Sequence, residues 1–340
     1  MTLLSLTEKI LQKSKEDLDS TLHNSFNKLP DSFQNTLDFF VRDVQRAATL
    51  VAARMKQKEL YVGELTWHYI ESYNNDNRKK ETLLCLHGFS DNKFSFAFLA
   101  RELIKNYHII SIDLPGFGDS DKPSNSRYSL QKYQDWVLEF IKAKKITNCH
   151  IMGNSLGGAI AAGIAADHPE LFKSITLIGA AGVMDEEPVG VYKMVQEGKN
   201  VFAVKNMEDF NHLMHTVFRK PPPLPFLIKH YRLRKYLANR EWYNKVLDEL
   251  MEGLLTESFD LKTFDRSVLL NEKIKKINKP VLLLWGDNDQ LCPPILGELF
   301  HELIKNSKYV EMKNTGHLPQ IESPKYLARE FEKFVSELAL

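Results

Sequence analysis

One serine stands in a setting that favours nucleophilic chemistry. The run Gly153-Asn154-Ser155-Leu156-Gly157 follows an apolar stretch and precedes a segment of small residues. This Gly-x-Ser-x-Gly spacing is typical of a sharp strand-to-helix turn that holds a serine hydroxyl exposed at the end of a strand. Ser155 is therefore the candidate nucleophile. The backbone N–H of Leu156, at the start of the helix, is a candidate donor to an oxyanion.

A serine hydroxyl is a poor nucleophile at neutral pH, so it needs a base, and the base needs an orienting acid. His317 follows the predicted strand Tyr309–Met312 and is the candidate base. Asp289 and Asp287 both follow the predicted strand Val281–Trp285 and are alternative acids. We favour Asp289, because it lies further along its loop with room to reach an imidazole. Asp287 is closer to the strand end and suits a bond to the backbone of a turn.

A second oxyanion donor is expected after the predicted strand Thr82–Leu86, which runs into His87-Gly88-Phe89. The backbone N–H of Phe89 is the candidate, with its ring lining an acyl pocket. We interpret His87 as structural, since its side chain can hold the loop through bonds to the backbone. Phe89 and Leu156 together would then form the oxyanion hole.

The sequence predicts neither a metal site nor a cofactor. The loop from Asp113 to Asp121 holds several acidic and hydroxyl side chains, but no histidine or further carboxylate stands at ligand spacing. We interpret this loop as a turn that supports the loop carrying the candidate oxyanion donor Phe89. The chain also has no zinc spacing, no Walker A motif and no GxGxxG after the first core strand.

The order of strand and helix signals along the chain predicts an α/β fold with a mostly parallel, doubly wound sheet. Continuous apolar runs mark strands that are covered on both faces, and helical stretches separate them. This alternation defines a core of residues 58–183 and 266–340. The intervening residues 184–265 are rich in helical signals and are expected to form a cap over the carboxyl ends of the strands. Residues 1–57 are expected to be an N-terminal helical extension without strands.

The extension has apolar residues at helical spacing after a break at Pro30. We favour a helix that packs on the core as a brace, with an amphipathic segment that binds a membrane surface or a partner as the alternative. The residues that share the predicted apolar face are Phe33, Leu37, Phe40, Val41, Val44 and Ala47.

A basic segment of the cap, Arg219–Arg240, contains seven Lys or Arg residues, no Asp or Glu, and interleaved aromatic residues. One interpretation is peripheral contact with an anionic lipid surface. The other, which we favour, is a solvated amphipathic helix whose apolar face covers the active site.

The overall composition indicates which binding partners and which cellular compartment to expect. The 340 residues include 45 basic and 44 acidic side chains, so no electrostatic signature for a nucleic-acid partner exists. Cys85 and Cys149 lie in apolar runs and predict buried thiols, which fits a reducing compartment. No signal-peptide pattern and no apolar run of membrane-spanning length is seen, so we expect a cytoplasmic protein. The sequence makes no prediction of its oligomeric state.

Five motifs resemble the α/β-hydrolase family, in the family's order, over about residues 58–340. Within that family the chain looks most like the monoacylglycerol-lipase-like branch of serine hydrolases with a helical cap. The resemblance implies hydrolysis of carboxylic esters, with medium- or long-chain monoacylglycerols favoured, through an acyl-enzyme on Ser155 and without a cofactor. It also implies a triad of Ser155, His317 and Asp289. The motifs are His87-Gly88, Asp113-x-Pro115-Gly116-x-Gly118-x-Ser120, Gly153-Asn154-Ser155-Leu156-Gly157-Gly158, Trp285-Gly286-x-x-Asp289 and Gly316-His317-x-Pro319.

Alternatives within the same fold stay open. Dehalogenases and epoxide hydrolases carry Asp where this chain has Ser155, which argues against both activities. Carbon–carbon bond hydrolases share the Gly-Asn-Ser-x-Gly-Gly run, although they typically carry a glycine- and proline-rich oxyanion loop where this chain has Phe89-Ser90-Asp91-Asn92. A ligand receptor with slow turnover on the same scaffold is the alternative from another class. The chain also departs from mammalian relatives of the branch, because its first helix is interrupted by polar residues rather than apolar throughout.

Overall fold

An eight-stranded sheet lies at the centre of the chain. The structure, a computed structural model, describes residues 21–22, 28–73, 80–251 and 268–338. The strands are β1 (Met55–Val62), β2 (Leu65–Ser72), β3 (Glu81–Leu86), β4 (Tyr107–Ile112), β5 (Cys149–Asn154), β6 (Phe172–Ile178), β7 (Val281–Gly286) and β8 (Ser307–Met312). Their order is β1-β2-β4-β3-β5-β6-β7-β8. β2 pairs antiparallel with β1 and β4, and the other neighbours are parallel, which confirms the predicted mostly parallel sheet.

Helices cover both faces of this sheet. Those of the described residues are α1 (Asp31–Ala53), α2 (Ala97–Leu103), α3 (Leu130–Ala143), α4 (Leu156–Asp167), α5 (Gly190–Gln196), α6 (Met207–Val217), α7 (Phe226–Ala238), α8 (Arg240–Leu250), α9 (Asn271–Ile274), α10 (Pro294–Leu303), α11 (Pro319–Glu322) and α12 (Pro324–Glu337). One hydrophobic cluster joins the sheet to α3, α4 and α10, and a second joins it to α2 and α12. Successive residues Leu83 and Leu84 belong to different clusters and are both fully buried. Burial on both faces explains why the core strands are continuous apolar runs.

The cysteines are part of this core. Cys85, Cys149 and Cys292 are all free and buried. Burial raises the pKa of the Cys149 thiol to about 12, so this group stays protonated at neutral pH. These thiols therefore fill space as small apolar groups.

The start of the sheet differs from the prediction. We expected residues 1–57 to contain no strand, whereas β1 begins at Met55. Gln57, Glu59 and Tyr61 are exposed, while Lys56 and Lys58 are half-buried on the other face, and charged residues on a strand are typical of a sheet edge. Charged residues on both faces hide the strand from a search for apolar runs. Residues 1–20 and 23–27 of the expected extension lie outside the described residues.

The first helix packs on the core in the opposite orientation from the one predicted. Of the expected apolar face only Val41 is buried, while Phe33, Phe40 and Val44 are 55%, 63% and 50% exposed. α1 is attached through its polar face instead, where Asp38 accepts a 2.7 Å hydrogen bond from Arg234 of α7. The helix is a brace, but the apolar row points outward because ion pairs occupy the inner face.

The cap also uses its charges differently from the prediction. Helices α5 to α8 are inserted between β6 and β7, and the expected cap residues 252–265 lie outside the described residues. The apolar face of α7 is buried through Leu233 and Tyr236, as expected. Its basic side chains were expected to be solvated; Arg232 is exposed as expected, but it and the half-buried Lys235 also line a cavity between α1 and the cap. Because α7 lies between α1 and the active-site cavity, few of its side chains face only water.

A buried ion network fixes the loop after β3 to the loop after β4. The Lys93 ammonium lies 2.6 Å from both Asp113 and Asp119, and its backbone N–H donates to Asp113 at 2.6 Å. Arg46 of α1 adds a 2.5 Å ion pair to Asp119. Burial raises the pKa of Asp119, but its ion pairs with Lys93 and Arg46 outweigh that effect and hold the pKa well below its usual range. The Asp113 loop is therefore joined through charge to the loop that follows β3.

Lys93→Met tests how much this network contributes to the free energy of unfolding. Removal of the ammonium leaves the fully buried Asp113 carboxylate uncompensated, so the free energy of unfolding should fall by about 3–5 kcal/mol. The matched control is Lys308→Met, which removes a lysine from a solvent-accessible pair with Glu337 and should cost less than about 1 kcal/mol. Guanidinium unfolding measures both. A loss for Lys93→Met no larger than for the control would contradict the assignment.

Candidate active site

The serine turn is built by a close backbone approach. β5 ends at Asn154, α4 begins at Leu156, and Ser155 between them has φ 54° and ψ −118°. This is a strained conformation for a residue with a side chain. A Cβ on Gly153 would lie 2.2 Å from the carbonyl oxygen of Gly157, so only glycine fits there. The turn therefore holds the Ser155 side chain at the carboxyl end of the sheet.

His317 and Asp289 form a hydrogen-bonded pair at the ends of neighbouring loops. His317 Nδ1 lies 2.8 Å from Asp289 Oδ2, and both residues are buried. The other Asp289 oxygen accepts from the backbone N–H groups of Leu291 and Cys292 at 3.0 and 2.8 Å. Because an ionised carboxylate only accepts, Nδ1 carries the proton in this pair. A neutral His317 ring then has Nε2 free to act as a base.

Asp287 has a different role from Asp289. Its Oδ1 accepts from the backbone N–H of Thr315 at 3.1 Å and from the Asn288 side chain at 2.5 Å. Burial raises the pKa of Asp287, but these two hydrogen bonds outweigh it and lower the pKa below its usual value. Thr315 stands two residues before His317. Asp287 therefore holds the turn from which the histidine projects.

Ser155 and His317 line the same cavity, which has a volume of about 580 Å³. Within the described chain the two side chains are not joined by a hydrogen bond. Catalytic hydrogen bonds are often long in a protein without substrate and tighten when substrate binds. The shared cavity wall brings the candidate nucleophile and base to one site.

Asn154 ties the two loops together, a role that the sequence analysis missed. Its side-chain N–H₂ donates to the backbone carbonyls of His317 and Ile178, both at 3.0 Å. Its oxygen accepts from Gln320 at 3.2 Å, and Gln320 also donates to Ser95 at 3.1 Å. Asn154 occupies the variable position of the Gly-x-Ser-x-Gly pattern, so the motif alone gives no signal. Buried amides of this kind fix a reactive group through its backbone.

The two candidate oxyanion donors belong to segments that lie next to Ser155. A Cβ on Gly88 would lie 3.1 Å from Ser155 Cβ, so the loop after β3 runs directly past the serine. Phe89 follows and lines the cavity. Leu156 opens α4, where the first N–H groups have no acceptor within the helix. Both N–H groups are thus on segments that border the serine.

His87 holds the backbone of the loop after β3 and contacts neither Ser155 nor His317 through a hydrogen bond among the described residues. Its Nε2 accepts from the backbone N–H of Leu114 at 3.0 Å, and its Nδ1 lies 2.7 Å from the Gly88 carbonyl. One nitrogen accepts and the other donates, which requires the neutral ring. Burial lowers the pKa of His87 and favours this neutral form.

The cavity has an apolar part and a cationic part. α6 and the segment after it supply apolar side chains, while α7 and α1 supply basic ones. No group of three or more His, Cys, Asp or Glu side chains that could hold a metal ion occurs among the described residues. The apolar part includes Phe210, Leu213, Met214, Val217 and Phe218; the basic part includes Arg42, Arg46, Arg232 and Lys235.

The comparisons with known proteins agree with this geometry. Residues 81–324 match the family of the alpha/beta hydrolase fold. The chain belongs to the α/β-hydrolase family. This α/β hydrolase is 34% identical to Lipase 3 of Moraxella sp. (strain TA144) over 265 residues, which cover 76% of this chain and 79% of the lipase. Monoacylglycerol lipase ABHD6 of Bos taurus is 23% identical over 82% of both chains.

A solved structure extends the similarity to nearly the whole α/β hydrolase. The structure of a membrane phospholipase A, described as a bacterial virulence factor, is 30% identical with a TM-score of 0.79 and covers 99% of this chain and 97% of its own. These relatives identify the protein as an ester-hydrolysing enzyme. No helix of the described residues is long and apolar enough to cross a membrane.

The variants Asp289→Asn and Asp287→Asn distinguish the roles of the two carboxylates in catalysis. Asp289→Asn removes the charge that faces the histidine and disturbs its tautomer, so kcat for ester hydrolysis should fall by at least about 10³-fold. Asp287→Asn keeps an acceptor oxygen for the backbone of Thr315 and should lower kcat by less than about tenfold. Steady-state hydrolysis of a p-nitrophenyl ester measures both. The reverse ranking would mean that Asp287 is the triad acid.

Proposed function

We propose that this α/β hydrolase is a serine carboxylic-ester hydrolase that cleaves lipid-like acyl esters, monoacylglycerols or similar, through an acyl-enzyme on Ser155. The observation that carries the proposal is the buried His317–Asp289 pair, whose histidine lines the same cavity as Ser155. A nucleophile, a base and an orienting acid are the groups that acyl transfer to serine requires.

The acylation step follows from these groups. Ser155 Oγ attacks the ester carbonyl carbon while His317 Nε2 takes the hydroxyl proton, and Asp289 stabilises the resulting imidazolium. The carbonyl oxygen becomes an oxyanion that accepts hydrogen bonds from the backbone N–H groups of Phe89 and Leu156. The tetrahedral intermediate then collapses, the bond to the alcohol oxygen breaks, and His317 returns its proton to that oxygen. The alcohol leaves and the acyl group stays on Ser155.

Deacylation repeats the sequence with water. His317 removes a proton from a water molecule, whose oxygen attacks the acyl carbon and forms a second oxyanion in the same site. Collapse of this intermediate breaks the bond to Ser155 Oγ, which receives the proton from His317. The products are the carboxylic acid and the free enzyme.

The choice of a lipid-like acyl group rests on the apolar part of the cavity. Phe210, Leu213 and Met214 of α6 line it together with Leu318 and Ile321. An acyl chain buried against these side chains gains about 0.8 kcal/mol for each CH₂ group removed from water. The lipase, monoacylglycerol lipase and phospholipase relatives support the same class.

A series of p-nitrophenyl esters from acetate to palmitate, with 1-monoacylglycerols beside it, tests the proposal. Activity should rise from acetate to a medium or long chain because the apolar wall binds the added CH₂ groups. Ser155→Ala should lower kcat by roughly 10⁴-fold or more. Residual activity above a tenth of wild type would exclude Ser155 as nucleophile. No turnover of any ester by the folded protein would favour a carbon–carbon bond hydrolase or a receptor.

A second proposal concerns where the enzyme works: α1 binds the surface of a lipid bilayer. Phe33, Phe40, Val44 and Val51 are spaced seven, four and seven residues apart and therefore share one face of the helix. They are 55%, 63%, 50% and 79% exposed. The polar face of α1 lines the active-site cavity through Arg42, Gln45, Arg46 and Thr49. A bilayer on the apolar row would thus lie next to the cavity that receives the lipid ester.

Phe33→Ser/Phe40→Ser tests the bilayer proposal by flotation with phosphatidylcholine vesicles. Loss of two aromatic rings from the apolar row should lower the vesicle-bound fraction by at least about tenfold. The matched control is Tyr61→Ser, which removes an exposed ring from β1, away from the row, and should bind like wild type. Unchanged binding of the double variant would refute the proposal. Concentration-dependent dimerisation that the double variant abolishes would assign the row to a second copy instead.

A further inference from the structure

Two basic side chains of α7 line the active-site cavity without a salt bridge. Other cations on the cavity wall are neutralised: Lys93 by Asp113 and Asp119, Arg46 by Asp119. Arg232 and Lys235 line the same cavity, and in the described parts of the chain neither side chain forms a salt bridge or a hydrogen bond. The cavity wall therefore holds more cations than carboxylates, even with Asp91 and Asp119 included.

The two groups differ in how far they are removed from water. Lys235 is half-buried, and burial lowers its pKa; the carboxylate of Asp119 opposes this, while the like charge of Arg46 adds to it. Arg232 is exposed and lies near the carboxylate of Asp91. Holding the Lys235 ammonium partly away from water costs free energy unless an anion joins it. A bound anionic group that also reaches Arg232 would recover that cost.

The two groups also have a defined place relative to the apolar part of the cavity. Lys235 is shared with a neighbouring groove of about 610 Å³ between α1 and α7, which Arg42 and Arg46 also line. The apolar side chains of α6 line only the active-site cavity. The cationic end therefore lies next to α1, and the apolar wall is supplied by a different helix of the cap.

We infer that Arg232 and Lys235 form a subsite for a phosphate group on the alcohol part of the substrate. The enzyme would then prefer a fatty-acid ester of a phosphorylated alcohol, such as a lysophospholipid, to an uncharged ester with the same acyl chain. A guanidinium and an ammonium side by side offer several charge-assisted donors, which match the oxygens of a phosphate. The inference rests on the proposed ester hydrolysis at Ser155 and names its substrate class.

The experiment compares two substrates that differ only in the phosphate. These are 1-octanoylglycerol 3-phosphate and 1-octanoylglycerol, both used at concentrations at which they are monomeric. In the wild type the ratio of kcat/KM for the phosphorylated to the neutral ester should be at least about 10, since charge-assisted bonds add to binding. Arg232→Gln/Lys235→Gln should lower that ratio at least tenfold. The ratio is internal to each variant, so a general loss of activity does not alter it.

A matched control and the remaining outcomes distinguish the phosphate subsite from the proposed ester hydrolysis. Lys229→Gln removes a cation from the same helix that does not line the cavity, and its ratio should equal that of the wild type. If the double variant does not fold, each single variant is measured, and each should lower the ratio. Ser155-dependent turnover with equal ratios in wild type and variants would refute the subsite and leave ester hydrolysis standing. No turnover of either ester would refute ester hydrolysis itself.

Discussion

The close approach of α4 to the ends of β5 and β3 is the constraint on which the site depends. A Cβ on Gly157 would lie 2.2 Å from the carbonyl oxygen of Leu86, and one on Gly153 would meet Gly157 itself. Only glycine allows the helix to start so near the strands. That start forces Ser155 into its strained turn, aims the first N–H groups of α4 at the same space, and brings the loop after β3 past the serine. The strain is retained because the packed sheet on both faces leaves the chain no other path.

Polar contacts then connect loops that are distant in sequence. Asn154 joins the nucleophile turn to the carbonyl of His317, and Asp287 fixes the turn before that histidine. On the other side, Lys93 joins the loop after β3 to Asp113, while Arg46 of α1 joins the same network to the first helix. Each contact is buried or half-buried, where an unpaired partner is costly. The reacting groups are thus held by their neighbours, which is the condition for acyl transfer in a preorganised site.

In the first helix and the cap, apolar side chains are exposed on the outside and charged side chains line the cavity, the reverse of the usual distribution. α1 turns charged groups toward α7 and the cavity, and it leaves Phe33, Phe40 and Val51 exposed. α7 in turn directs Arg232 and Lys235 into the cavity. Taken together, the proposals describe an enzyme that rests on a bilayer through α1 and receives an acyl ester whose charged end lies next to that helix. An outward apolar row and an inward cationic wall suit an amphiphilic substrate that leaves a membrane surface.

The core strands, the serine turn and the family could be predicted from local patterns: continuous apolar runs, glycines at fixed offsets, and motifs that follow strand ends. His317 and Asp289 could also be predicted as partners, since parallel strands end at one edge. Tertiary packing, in contrast, sets which face of α1 is inward, which charges of α7 line the cavity, and how Lys93, Asn154 and Gln320 connect the loops. Amphipathic periodicity reports that a helix has two faces but not what lies against each, and a buried polar contact between distant residues leaves no periodic signal in either segment.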